Sequence, residues 1–182
     1  MVQVITGWSL SSAVIIIGAV TLVYTLSGGI RTVVWVDSIQ FILYLFGGIA
    51  SIIIVLNHLD QSLFEAIPIL AEQGKLGIFN LEGNIIKDPY YFISAIVGGA
   101  ILSFSSHGVD YMMVQRVLGT KNLTAARKAM IGSGLFVFLQ FGIFLLAGSL
   151  IYLLMGGVEV ERDREFTSFI VNYLPIGLKG VF

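Results

Sequence analysis

Four stretches of this chain contain no Asp, Glu, Lys or Arg: residues 1–30, 38–59, 89–109 and 129–158. A hydrocarbon core of about 30 Å is crossed by about 20 apolar residues in a helix. Each stretch is long enough to cross, so the sequence predicts an all-α membrane protein with four transmembrane helices, near 9–28, 33–57, 90–115 and 131–155. Composition points the same way. The chain is 57% hydrophobic and 12% charged, whereas a soluble domain is about 25% charged. Too little polar material is present to cover a water-facing surface. Ten Lys and Arg balance eleven Asp and Glu without a basic run, which speaks against nucleic acid as a partner. With no cysteine, disulfides, thiolate metal sites and cysteine nucleophiles are excluded.

Basic residues beside the spans set orientation. The connection between the first two spans carries Arg31. That between the last two carries Arg116, Lys121, Arg127 and Lys128 with no acid among them. These two connections (the second near 116–130) are expected on the cytoplasmic side. The loop 58–88, with two Lys against five acids, is expected outside, with a short surface helix at 62–73 in which Leu63, Ile67 and Leu70 recur at helical spacing. Pro68 argues against that helix. Asp88-Pro89 suits the start of the third span. Both chain ends then face outside, an arrangement suggesting a piece of a longer chain. The expected location is the plasma or inner membrane, in several passes.

An ionisable side chain at membrane depth costs about 2.5–3.5 kcal/mol on insertion scales and should face protein or water. In the third span Ser103, Ser106, His107 and Asp110 recur at i, i+3, i+4 and i+7, one stripe of a regular helix. In the second, Asp37, Gln40 and Tyr44 recur similarly, with Gly47, Gly48 and Ser51 farther along. Small and hydroxyl residues commonly serve as packing between membrane helices, and that reading covers Gly98, Gly99, Ser103 and Ser105. The same dense run of small residues also suits a helix that opens at the midplane, where transporters bind their cargo. A hydrolytic Ser106–His107–Asp110 triad is not expected. Adjacent residues of a regular helix point about 100° apart, which keeps Ser106 and His107 from hydrogen-bonding unless the helix is broken there. No metal constellation is visible, since His58 sits at an outer end.

Two motifs carry a family resemblance. Gly28-Gly29, Val33, Trp35, Asp37 and Gln40 resemble the pattern G-G-x-x-x-V-x-W-T-D-x-x-Q of the sodium:solute symporters. Gly108-Val109-Asp110-Tyr111, followed by Gln115-Arg116, resembles that family's later G-[TF]-[DN]-Q-x-x-x-Q-R. The segment from Leu174-Pro175 to Val181 resembles the lead-in to its next core helix. The resemblance implies part of a five-plus-five inverted-repeat core working by alternating access, with the four spans as core helices four to seven. It implies sodium-coupled import of a small solute, with sodium as the coupling ion and no other cofactor, and no enzymatic activity. Ser103, Ser106 and His107 would line the solute cavity, and Asp37, Gln40 and Asp110 the ion pathway. The bilayer and the remaining core helices would be the partners. The first and eighth core helices, which hold the principal sodium site of the family, would lie outside this chain, leaving it inactive alone. Val36, Val109 and Tyr111 depart from the patterns, and the last span offers Gln140 where sugar carriers have Lys, so a sugar is not the expected solute. The alternative is a self-contained four-span assembly or scaffold protein.

Overall fold

A computed structural model describes residues 7–77, 79–157 and 165–179. Among these the chain is helical, with no strand. Four helices are long and apolar enough to cross a membrane: Leu10–Gly29 (α1), Arg31–Leu59 (α2), Phe92–Val109, and Leu123–Leu154 (α6). Between them lie α3 (Leu63–Glu72), α4 (Phe92–Phe104, the regular part of the third crossing) and α5 (Tyr111–Leu118), and after them α7 (Glu165–Tyr173) and α8 (Ile176–Lys179). The chain forms two compact units, 1–70 with 139–182, and 71–138. The lead-in motif beginning at Leu174 ends outside the described residues, at 180 and 181.

Ser9 opens α1 by accepting the Ser12 N–H at 3.2 Å. Inside the spans, hydroxyls donate back to the carbonyl four residues earlier: Thr21 to Ile17, Ser27 to Val23, Thr32 to Gly28, Ser38 to Val34 and Ser149 to Leu145, at 2.7–3.0 Å. Each hydroxyl is thereby satisfied within its own stretch of chain, the condition hydrocarbon imposes, Thr32 reaching back across the junction to Gly28 of α1.

The junction of α1 and α2 uses its two glycines for different reasons. Gly29 sits at φ 61 and ψ −168, a region that essentially only glycine occupies, and there the helix axis kinks. Gly28 has ordinary dihedrals, but a Cβ on it would collide with the Thr32 side chain, which donates to the Gly28 carbonyl.

The first unit holds the core. Val55, Ala66, Leu70, Ala147, Leu150, Ile151, Phe169, Ile170 and Leu174 are buried. A Cβ on Gly48 of α2 would lie 2.8 Å from Ile143 Cγ2 of α6, so the two backbones approach to the limit glycine allows. An aromatic run ties α7 into the same unit. Phe144 meets Phe166, Phe166 meets Phe169, Phe169 stacks on Tyr173, and Tyr173 meets His58 edge-on at 5.5 Å. Each such pair adds about 0.5–1.5 kcal/mol beyond its buried area.

The surface helix expected at 62–73 is α3, and Pro68 lies inside it. What starts it is a contact the apolar spacing does not reveal. Ser62 donates from both its backbone N–H (2.7 Å) and its hydroxyl (2.8 Å) to Glu65 Oε2, the carboxylate half of a capping box. These two donors hold the Glu65 carboxyl below its ordinary 4.5. A folded-state pKa that is depressed contributes stability above the ordinary value and loses it as pH falls through the lowered one. Amides of the first turn of α3 should therefore lose hydrogen-exchange protection below about pH 4.5, and Glu65→Gln should remove that dependence. Protection unchanged with pH in the wild type would show that this contact does not hold the helix start.

Candidate functional site

The third crossing does not run as one helix. Regular structure ends at Phe104, and Ser105–Val109 form a single π turn, closed by the Asp110 N–H donating to the Ser105 carbonyl at 3.1 Å. Asp110 itself is extended, with φ −64 and ψ 118. Its Oδ1 accepts the Met113 N–H at 3.0 Å and caps α5. The run of Ser, His and Gly explains the break. None of these residues favours a helix interior, and serine offers the backbone competing hydrogen bonds. Such turns recur at functional sites, and an interruption leaves carbonyls of the last turn without helical partners.

The π turn changes which residues meet. Ser106 Oγ lies 2.8 Å from His107 Nδ1, and both lie 3.2 Å from the Ser103 carbonyl. Sequence reasoning for a regular helix kept Ser106 and His107 apart. The structure brings them together because the turn is widened by one residue. A carbonyl can only accept, so the contact of Nδ1 with Ser103 O assigns the ring proton to Nδ1. Ser106 then accepts from the ring and donates to Ser103 O, which closes the set. Nε2 is the ring nitrogen left for another partner. With its proton held on Nδ1, the ring does not take the proton of Ser106 as a triad base would.

Asp110 is not part of this cluster. The i+7 stripe assumed a regular helix throughout, and the π turn and the extended residue place its carboxylate on the start of α5. Asn caps as well as Asp does, whereas Ala forfeits about 0.5–2 kcal/mol. Asp110→Asn should therefore leave α5 intact in hydrogen exchange, and Asp110→Ala should fray it. Equal fraying in both would mean that the charge, not the cap, matters.

A cleft of about 520 Å³ opens beside the turn, lined by Ala100, Ser103, Phe104, His107 and Gly108, with Met130 and Gly134 from α6. Of the residues singled out in the third span, Ser103 and His107 line it; Ser106 supports His107 without lining it. Ala100 and Phe104 share the i, i+3, i+4, i+7 spacing with Ser103 and His107 and were legible on that basis. Met130 and Gly134 were not, since nothing in the sequence says which neighbour covers the turn. Gly98 and Gly99, read as packing residues, have open space where a Cβ would go.

Asp37 and Gln40 lie in the first unit. Asp37 is half-buried, and Gln40 and Tyr44 are exposed on α2. Farther along the same helix Gly47, Gly48 and Ser51 are buried. The stripe thus divides into a polar half and a packed half.

The chain is 28% identical to the sodium-coupled monocarboxylate transporter 1 of Mus musculus, over 77% of this chain and 23% of that protein. It is 28% identical to a putative sodium-dependent multivitamin transporter of Drosophila melanogaster, over 99% of this chain and 31% of that one. Against the sodium/glucose cotransporter 4 of Danio rerio it is 25% identical over 99% of this chain and 32% of that one. It thus spans 23–32% of the length of these curated relatives. No solved structure matches it. The family model that does match runs from residue 1 to residue 178, taking in both signature segments and the broken crossing between them, and the chain belongs to the sodium:solute symporter family.

Proposed function

We propose that this chain is part of a sodium-coupled secondary active transporter that imports a small solute by alternating access, with the solute site at the broken third crossing. The observation that carries the reading is the break itself, a π turn and an extended residue within an otherwise apolar crossing. Hydrocarbon tolerates irregular backbone only where it is buried in protein or lines a cavity, and the cleft at Ser103 and His107 is such a cavity. The connections carrying Arg31 and Arg116–Lys128 are proposed to face the cytoplasm by their positive charge, and the plasma or inner membrane is the proposed location.

Sodium supplies the driving force, each charge moved being worth about 2.3 kcal/mol per 100 mV. The short share of its relatives that the chain spans supports a further expectation: these 182 residues transport only together with additional core helices. Sodium-dependent uptake by vesicles holding these residues alone would overturn it.

Asp37, Gln40 and Asp110 are proposed for the ion pathway, and Asp37 is the sharpest test. An acid kept near the end of an apolar helix is costly and is retained for what it binds. In the complete carrier Asp37→Asn should lower sodium-dependent uptake about tenfold, a typical coupling energy, with the amount inserted in the membrane unchanged. Normal uptake by that variant would leave Asp37 a structural residue.

A further inference from the structure

We propose that the start of α6 holds an anionic lipid, its phosphate among Thr124, Arg127 and Lys128 and an acyl chain along Ile131, Leu135 and Phe138. α6 is longer than a crossing needs. Its 32 residues make about 48 Å, against a hydrocarbon core of about 30 Å. Charge is absent only from Ala129 onward, so the stretch from Leu123 to Lys128 stands at headgroup depth. On a helix that advances about 100° per residue, Arg127 and Lys128 bound one arc. Thr124 falls inside that arc on the headgroup side, and Ile131, Leu135 and Phe138 fall inside it on the hydrocarbon side. All six side chains are exposed and belong to one compact unit. The order along the arc is a hydroxyl, two cations and then three apolar side chains, which matches a phosphate with its acyl chain below. The apolar stripe alone would suit any lipid or a neighbouring helix, and the two cations at its head select a negative headgroup. Residues 111–158 contain no Asp or Glu, so the surrounding sequence offers these cations no counter-ion, and Arg116 and Lys121 add to the field. A soluble phosphate would meet the cations and leave the stripe unused. Each base close to an anionic bilayer surface favours it by about fivefold. Lipid binding here requires only that α6 crosses the bilayer, and stands or falls apart from the solute site.

Chain-spin-labelled phosphatidylserine and phosphatidylcholine test this on the complete carrier in phosphatidylcholine nanodiscs. Phosphatidylserine should associate at least about fivefold more tightly than phosphatidylcholine, at a saturable site. Arg127→Gln with Lys128→Gln should abolish the preference, and Arg127→Lys with Lys128→Arg should keep it. Arg127→Gln with Ala129→Arg preserves the net charge but moves one cation out of the arc, and should weaken the preference about fivefold. Glycerophosphoserine, the same headgroup without chains, should not displace the lipid at millimolar concentration. Equal association of the two lipids with the wild type overturns the proposal, the face then being covered by another core helix. A preference that survives the relocation of charge overturns it as well, since the attraction then follows net charge alone. Displacement by glycerophosphoserine would make this a site for a soluble phosphate and overturn the lipid.

Discussion

Replacing Gly48 by valine is expected to cost the first unit about 1–3 kcal/mol, the largest stability effect anticipated for a single substitution in the spans. Its Cβ would lie 2.8 Å from Ile143 Cγ2 and 3.6 Å from the Phe144 ring. Ile143 is β-branched, and its methyl cannot swing aside without a change of rotamer. Phe144 is held against Phe166. The helices must part instead, which opens the core around Val55, Leu150 and Ile151. Gly99→Ala is the control, since its Cβ meets nothing within 4 Å. Removing a helix-interior glycine there should gain about 0.5–1 kcal/mol. Unfolding titrations in mixed micelles read both, and equal stability of the two variants would show that the α2–α6 approach is loose.

The second large effect belongs to His107. In the complete carrier His107→Ala is expected to lower solute affinity about tenfold to a hundredfold, the loss of one hydrogen bond to a charged or strongly polar head. Membrane insertion should be unaffected, because His107 is only half-buried and packs no core. His107→Gln, which keeps a hydrogen-bonding group at a similar reach, should recover part of the loss. Uptake concentration curves for the three proteins measure it. An unchanged half-saturation in His107→Ala would remove the residue from the site and, with it, the assignment of the cleft.

Most of the fold was legible from where charge is missing. Excluding charged groups from hydrocarbon is a property of each residue by itself, so it can be read by counting along the chain, and the four crossings follow. Helix starts were partly legible: the Ser62–Glu65 pair is a local signal, three residues apart, that apolar spacing alone passed over. The signature segments pointed to the helix in which the structure places the break.

What the chain by itself determined, then, is that it holds four stretches long and apolar enough to cross a membrane, that it belongs among the sodium:solute symporters, and that polar residues cluster in the second and third of those stretches. Only the tertiary structure decided that Ser106 bonds His107, that Asp110 caps α5 instead of joining them, that Gly48 is packed while Gly99 is not, and that Met130 lines the cleft. The physical reason is one of range. Periodicity assumes a constant turn per residue, and one widened turn shifts the register of everything after it. Which face meets a neighbour depends on contacts between residues far apart in sequence, and these leave no mark in local composition.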